Sequence, residues 1–218
     1  MSKRGSFWRD NGLSLVLLGL MLGSLGGQVA AGMRVYNQQR IEHGQVALDG
    51  LAYLRSGHFV SATFENWESE FLQMGMYVLL TVVLRQRGSA ESRPMSPDEE
   101  EPRIESGPAP WAVRIGGWWK TLYEHSLAIA FGLMFAASFA LHLSGSWRME
   151  LAERAMHGDG PLTLGAYLQQ PQFWFESFQN WQSEFFAVLA LVVLSIWLRQ
   201  KDSPQSKPVE APHSQTGT

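Results

Sequence analysis

The sequence contains no cysteine among its 218 residues. This absence excludes disulfides, thiolate metal sites and cysteine nucleophiles, so any exported loop holds its shape without covalent cross-links. The chain also has no marked excess of one charge, because its formal net charge at pH 7 is only −3. A nucleic-acid partner would require a basic surface, and we therefore expect no such partner.

The motifs of common catalytic and cofactor sites are missing as well. There is no HExxH or paired-cysteine spacing for a metal, and no nucleophile elbow, phosphate-binding loop or dinucleotide fingerprint. His43-Gly44 and His157-Gly158 favour turns that end helices over metal ligation. The sequence therefore predicts no enzyme activity, no catalytic residue, no cofactor and no metal site.

What the sequence does contain is a duplication. Residues 64–71 read FENWESEF, and residues 178–185 read FQNWQSEF, 114 positions later. Aligning residues 10–89 with residues 124–203 needs no gap and gives 23 identities in 80 positions. A stretch that recurs with its flanks at one fixed offset indicates an internal repeat.

Each copy begins with a long apolar run. Residues 13–33 carry no charge over 21 positions, which is enough to cross a hydrocarbon core of about 30 Å as a helix. A cleaved signal peptide is the alternative, since Val29-Ala30-Ala31 resembles a cleavage site. The equivalent run at 127–145 lies in mid-chain, and we therefore predict transmembrane helices at both places.

Each copy ends with a shorter apolar run. Phe71 to Leu84 is only 14 residues long and includes Gln73. The segment 67–84 suffices for a span if Glu68 and Glu70 lie among the lipid headgroups, and a re-entrant hairpin is the alternative. We predict spans at 67–84 and, in the second copy, at 181–198.

These segments give an all-α integral membrane protein with four transmembrane helices in two tandem two-helix repeats. Two spans per repeat put both copies in the same orientation, so a parallel pseudo-twofold axis should relate them. The predicted organisation is a cytoplasmic N-terminus (1–12), a first hairpin (13–84), a disordered linker (85–110), a second hairpin (111–198) and a disordered tail (199–218). Proline, serine and glutamate dominate the linker, which is typical of disorder. Asp49 is the expected N-cap of a short helix between the first two spans.

The orientation follows from the basic residues. The N-terminus, the whole connection between the second and third spans (85–126) and the tail hold 12 of the 17 lysines and arginines, and the two inter-span segments hold the remaining five. Because basic loops stay inside, both termini and the linker are predicted to be cytoplasmic. The predicted partners are the lipid bilayer and, through the small-residue row Gly19, Gly23 and Gly27, a second copy or another membrane protein.

Polar residues within the spans are the candidates for function. Asn66 and Glu70 lie on one helical stripe, and their counterparts are Asn180 and Glu184. Gln28 on the first helix corresponds to His142 on the third. One hypothesis is a polar cleft that binds an ion, a proton or a small polar solute; the alternative is hydrogen bonding between helices.

Arg34 and Arg148 lie at the outer ends of the first and third spans, at about the depth of Glu70 and Glu184. We expect each arginine to form a structural salt bridge within its own hairpin. An anion site made of guanidinium and carboxylate is the less favoured alternative.

The motifs of the repeat unit also indicate a family. They run from Asn11-Gly12-Leu13-Ser14 through RVYN (34–37), HG (43–44), YLRSGHF (53–59), FENWESEFLQM (64–74) and LRQRGS (84–89). With these motifs the chain resembles a bacterial family of multi-pass membrane proteins defined only as a domain of unknown function. The resemblance implies a bacterial source and the cytoplasmic (inner) membrane, and it implies no activity and no site residues.

Two functional hypotheses remain open. The first is a structural or interaction role in the bacterial membrane, supported by the small-residue faces. The second is a small transporter or channel for an ion or small polar solute that uses the glutamate, asparagine and histidine groups within the spans.

Overall fold

The computed structural model describes residues 7–96, 104 and 106–217, and every regular element in this part of the chain is an α-helix. The helices are α1 (Phe7–Glu42), α2 (Gly50–Leu54), α3 (Gly57–Val83), α4 (Trp111–Ile115), α5 (Gly117–Glu124), α6 (Ser126–His157), α7 (Leu164–Tyr167) and α8 (Pro171–Leu194). The all-α class is confirmed. Residues 1–6 of the predicted N-terminal segment lie outside the described residues.

Two helices in the described part of the chain are long and apolar enough to cross a membrane. They are Asp10–Glu42 of α1 and Ser126–His157, the whole of α6, which contain the predicted spans 13–33 and 127–145. Helices α3 and α8 carry most of the predicted spans 67–84 and 181–198. Neither contains a stretch of 18 residues that is apolar enough to count as a candidate span. Their first turns in these ranges are polar, and α3 ends at Val83 and α8 at Leu194, so too few apolar residues remain. By length and composition there are two candidate spans, not the four expected.

The chain divides into two compact units, and neither coincides with a sequence repeat. One unit comprises Met1–Ala62 with Ser144–Thr163, and the other comprises Thr63–Leu143 with Leu164–Thr218. Each unit therefore takes segments from both copies. The domain boundaries drawn from the sequence stay predictions.

The first unit has Tyr53 at its centre, with only 1% of its surface exposed. Asp49 caps α2 as predicted, because its Oδ1 accepts a hydrogen bond from the backbone N–H of Ala52 at 2.8 Å. The Tyr53 ring lies 5.6 Å from the ring of Phe59, and a Cβ at Gly32 would meet the Tyr53 hydroxyl. Gly32 thus lets α1 pass over the buried tyrosine.

A second close approach in this unit involves Gly57 of α3 and Gly145 of α6. A Cβ at Gly57 would lie 2.6 Å from the carbonyl oxygen of Gly145 and 2.7 Å from the backbone nitrogen of Met149. A Cβ at Gly145 would in turn meet the backbone of Ser61 and Val60. The two helices touch backbone to backbone here, which only residues without a side chain permit.

His58 is a half-buried titratable group that packs against this core. Its ring stacks on Tyr36 with centroids 4.7 Å apart, and its Nδ1 lies 3.3 Å from the Tyr53 hydroxyl. Burial lowers the pKa of His58 below its ordinary value. The folded state therefore favours the neutral imidazole.

This burial predicts an acid-sensitive stability. The unfolded chain binds a proton at His58 near pH 6.5, above the folded pKa. The contribution of His58 is thus fully present above about pH 6.5 and is lost as the pH falls through the folded pKa. Replacing His58 by glutamine, the residue found at the equivalent position 172, should flatten this part of the profile. The unfolding midpoints of the wild type and of the His58→Gln variant, measured between about pH 5 and pH 7.5, test this expectation. If the midpoints of the two proteins change in parallel with pH, His58 does not cause the acid sensitivity.

The second unit has an unusual core, because most of its fully buried side chains are polar. Phe173 and Tyr167 are buried there, with ring centroids 6.0 Å apart, matching the pair Tyr53–Phe59 of the first unit. The polar residues buried beside them on α3, α6 and α8 include Glu68, Ser69, Gln73, Ser138, His142 and Ser177. Large apolar side chains of the same helices are exposed, among them Leu79, Val82, Leu133, Phe186 and Leu189.

Several local hydrogen bonds recur 114 residues apart. The Nδ1 of His43 donates to the carbonyl of Gln39 at 2.8 Å, and the Nδ1 of His157 donates to that of Glu153 at 2.9 Å. The glycines that follow, Gly44 and Gly158, have φ angles of 71° and 75°. Both His-Gly pairs therefore end their helices, in agreement with the turn interpretation.

The segments predicted to be disordered are described in part. Residues 84–96 form turns rather than helix or strand, and Ser89 is buried with its hydroxyl 3.0 Å from that of Ser195. In the tail, the ammonium of Lys207 donates to carbonyl oxygens of His213 at 3.0 Å and Gln215 at 2.9 Å. Residues 97–103, 105 and 218 lie outside the described residues, and disorder of the linker and tail as wholes stays a prediction.

Candidate functional site

A cluster of ionisable side chains lies inside the second unit, centred on His142 of α6. His142 and Glu68 of α3 are both 0% exposed. The Nδ1 of His142 lies 3.0 Å from Oε2 of Glu68 and donates to it. A buried carboxylate is strongly disfavoured unless it has hydrogen-bond partners, and here the imidazole N–H supplies one.

The second oxygen of Glu68 is also occupied. The indole Nε1 of Trp181 on α8 donates to Glu68 Oε1 at 3.2 Å. Glu68 is thus held from two sides, by a ring of α6 and a ring of α8. Because both contacts are specific hydrogen bonds, the carboxylate has a fixed orientation toward His142.

The other side of the imidazole faces two further carboxylates. Its Nε2 lies 3.8 Å from Oε2 of Glu176, which is too far for a hydrogen bond, and among the described residues this buried atom has no hydrogen-bond partner. Glu65 completes the group. One oxygen each of Glu65 and Glu176 and one ring nitrogen of His142 all lie within 4.8 Å of one another.

Helical spacing explains why these side chains meet. Glu65 and Glu68 are three residues apart on α3, so they share one face, and Glu176 and Asn180 are four apart on α8. Asn180 Nδ2 donates to Glu65 Oε1. Phe173 closes the cluster on the apolar side, with its ring centroid 4.9 Å from that of His142.

The electrostatics of the cluster favour a cation. Three carboxylates, those of Glu65, Glu68 and Glu176, lie around the single imidazole of His142, which can carry at most one positive charge. With its three carboxylates ionised, the cluster keeps a net negative charge even when the imidazole is protonated. A cation would relieve this repulsion, and an anion would increase it.

Of the residues predicted from the sequence to line a polar cleft, some lie in this cluster and others lie elsewhere. His142 and Asn180 belong to the cluster. Asn66 and Glu70 are exposed, and Glu184 is half-buried, with its carbonyl oxygen accepting from Gln73 Nε2 at 2.8 Å. Gln28 is half-buried and belongs to the first unit.

The two arginines singled out from the sequence both belong to the first unit. Arg34 is exposed there. Arg148 donates to the carbonyl oxygens of Ser144 at 3.2 Å and Arg55 at 3.4 Å. The predicted ion pairs with Glu70 and Glu184 stay predictions.

Sequence reasoning missed three carboxylates of this cluster, Glu65, Glu68 and Glu176. A signal for them was present, because they occupy positions where the two repeats differ in charge. Each cluster residue has a neutral counterpart 114 positions away: Glu65 corresponds to Gln179, Glu68 to Gln182, His142 to Gln28 and Glu176 to Ala62. In each case one copy carries an ionisable side chain and the other a neutral one.

A comparison with protein families places residues 4–218 in one of them. The model described as a domain of unknown function (DUF6766) matches residues 4–218. The chain belongs to this family. This membership agrees with the resemblance drawn from the repeat motifs to a family of that description, whereas the bacterial source, the membrane location and the repeat stay predictions.

Comparisons with curated proteins and with solved structures found no match. The description of the DUF6766 family assigns no activity. Function must therefore be inferred from the cluster itself, from its geometry and charges.

Proposed function

We propose that this protein is an integral membrane protein that binds a small cation at the buried cluster around His142 and carries it across the bilayer. The observation that supports the proposal is the pairing of His142 with Glu68, with the carboxylates of Glu65 and Glu176 on the other side of the ring. Ionisable groups at membrane depth are costly, and those that persist there commonly serve ion or proton pathways.

The distribution of polar and apolar residues supports the membrane location. On α3, α6 and α8 the buried side chains are polar except for Phe173, and many of the leucines, valines and phenylalanines of these helices face outward. A protein dissolved in water has the opposite arrangement, since large contiguous apolar surfaces are unfavourable there. In lipid this arrangement is expected, because the hydrocarbon surrounds the apolar faces and the polar groups bond with one another.

This pattern also supports α3 and α8 as spans, which gives four in all. With two spans in each copy of the duplicated unit, both copies have the same orientation, and the recurring hydrogen bonds at an offset of 114 residues favour the duplication. The excess of lysine and arginine in the N-terminus, linker and tail supports cytoplasmic termini. We infer a bacterial inner-membrane location from the resemblance of the repeat motifs.

Ion flux tests the proposal. The full-length protein is reconstituted into liposomes that contain a pH-sensitive dye or, in parallel, a dye quenched by divalent transition metals. We expect cation entry well above that of empty liposomes. The double substitution Glu68→Gln/His142→Gln should abolish it, because the cluster then loses its central charges yet retains groups that hydrogen-bond. Circular dichroism shows whether the variant is folded.

A matched variant separates the buried cluster from the polar stripe. Glu70→Gln/Glu184→Gln neutralises the carboxylates predicted from the sequence and leaves His142 and its partners intact. If flux persists in this variant, transport depends on the cluster and not on Glu70 and Glu184. If flux is lost in both variants, Glu70 and Glu184 also belong to the pathway. Equal flux in the wild type and the cluster variant would contradict the proposal.

A structural or interaction role is the second candidate, supported by the small-residue row of α1. A Cβ added at Gly19, Gly23 or Gly27 meets no atom within 4 Å in the described part of the chain. Such a row permits close approach of another helix. If association is the function, Gly23→Leu should break up oligomers detected by cross-linking in membranes, and flux should be absent from the wild type.

A further inference from the structure

We propose that the cation is a divalent first-row transition metal, held by Nε2 of His142 and one carboxylate oxygen each of Glu65 and Glu176. This inference rests on the proposed cation-binding function and specifies its ligand. Imidazole with carboxylates suits zinc, iron and manganese, whereas magnesium and calcium prefer oxygen ligands alone and copper(I) prefers sulfur.

The geometry fits a metal after a small contraction. Two donor atoms that each lie about 2.1 Å from a tetrahedral metal are about 3.4 Å apart. Nε2 of His142 and Oε2 of Glu176 are 3.8 Å apart, and the three candidate donor atoms lie within 4.8 Å of one another. The donor atoms would thus have to approach one another by roughly 0.4–1.4 Å, a movement that the rotatable bonds of the glutamate side chains can supply.

The unsatisfied nitrogen of His142 is the independent indication of a ligand. His142 is fully buried, and its Nε2 makes no hydrogen bond within the described residues. A buried polar atom without a partner is costly, and native proteins rarely leave one. Because Nδ1 donates a hydrogen bond to Glu68, a neutral imidazole has its lone pair on Nε2, the atom that lies 3.8 Å from Oε2 of Glu176.

The surrounding hydrogen bonds have the form of a support for metal ligands. Histidines that bind metals commonly donate their other N–H to a carboxylate, which fixes the ring and its tautomer. Glu68 supplies this carboxylate, and Trp181 holds it in place. Asn180 likewise holds the carboxylate of Glu65 in place, by donating a hydrogen bond to it. Glu68 is thus a positioning residue rather than a ligand.

The duplication predicts one metal per chain. At the equivalent positions, 114 residues away, His142 corresponds to Gln28, Glu176 to Ala62 and Glu65 to Gln179. Amide and methyl groups cannot replace the imidazole and carboxylates, so this second set of positions has no comparable ligands.

Cobalt(II) and zinc(II) binding test the site in the full-length protein, purified in detergent and stripped with a chelator. We expect about one zinc per chain by equilibrium dialysis and elemental analysis, and visible absorption bands when cobalt binds. His142→Gln and Glu176→Gln should each abolish binding at concentrations that saturate the wild type. Glu68→Gln should keep the stoichiometry and weaken affinity by about 10–100-fold.

Two controls make the result specific. His157→Gln, on the same helix but outside the cluster, tests surface binding by histidine and should leave stoichiometry and affinity unchanged. Glu176→Gln changes a side chain that is partly accessible, so it remains informative if His142→Gln does not fold. Less than half a zinc per chain, or unchanged binding in both ligand variants, would overturn the metal site.

The outcomes also separate this inference from the proposed transport. Metal bound at unit stoichiometry without flux in liposomes keeps the metal site and overturns transport. Cation flux without metal binding keeps transport and overturns the metal site, since the cluster then takes another cation.

Discussion

Replacing His142 by leucine is expected to destabilise the protein by about 3–5 kcal/mol. The substitution removes the group that donates to Glu68 and leaves a fully buried carboxylate without its compensating partner. The repulsion of Glu65 and Glu176 is no longer offset either. Unfolding in mixed micelles, followed by tryptophan fluorescence and circular dichroism, measures the loss.

The chain supplies the matched controls for this experiment. Glu68→Gln/His142→Gln installs the neutral residues found at 182 and 28, and it should recover much of the stability, with a coupling energy of about 0.5–3 kcal/mol between the two positions. Gln28→Leu, the equivalent change in the first copy, removes only a neutral amide and should cost about 1 kcal/mol. If the single and double variants are equally destabilised, the pair does not cause the effect.

Replacing Gly145 by valine should destabilise the first unit by about 3 kcal/mol, at the upper end of the usual cost of overpacking. The new side chain would meet the backbone of Ser61 and Val60, and backbone atoms cannot rotate away as a flexible side chain can. Gly57→Ala should act in the same direction, because it meets the carbonyl of Gly145 from the opposite side. Limited proteolysis and the unfolding midpoint measure the loss.

Gly23 of α1 is the control for this close approach. An added Cβ there meets no atom within 4 Å in the described residues. Gly23→Ala should therefore be neutral or stabilising by up to about 1 kcal/mol, because alanine is the better helix former. Equal losses in Gly23→Ala and Gly145→Val would mean that crowding between α3 and α6 is not what the glycine at 145 prevents.

Much of the fold could be predicted because local rules decide it. The uncharged run at 13–33 requires a long helix in any apolar setting, and α1 contains it. Asp49 caps α2 through its own neighbour three residues on, a contact that sequence spacing fixes. The end of α8 could not be predicted as well, because apolar residues continue to Leu198 whereas the helix stops at Leu194. There the Arg199 guanidinium donates to the carbonyl oxygens of Ser195 and Ile196.

The cluster was harder to predict, since its contacts join residues far apart in sequence. The hydrogen bond between Glu68 and His142 spans 74 positions. Helix α3 carries carboxylates on more than one face, and periodicity does not reveal which face is buried. The stripe chosen from the sequence contained the exposed Glu70, whereas Glu68 on the opposite side is the buried one. The charge differences between the copies would have pointed to Glu68.

The proposed duplication, which would join two hairpins in one polypeptide, has a consequence for the charge difference between the copies. In a symmetric dimer of identical hairpins, any change that introduces Glu68 or His142 appears twice, so every charged set in the interior is doubled. A tandem gene removes that constraint and allows each half to change by itself, so that the first copy has Glu68 where the second has Gln182, and the second has His142 where the first has Gln28. Covalent linkage thereby allows one cluster of ionisable residues to evolve without a second copy of it. An assembly of separate identical subunits could have a single such cluster only on its symmetry axis.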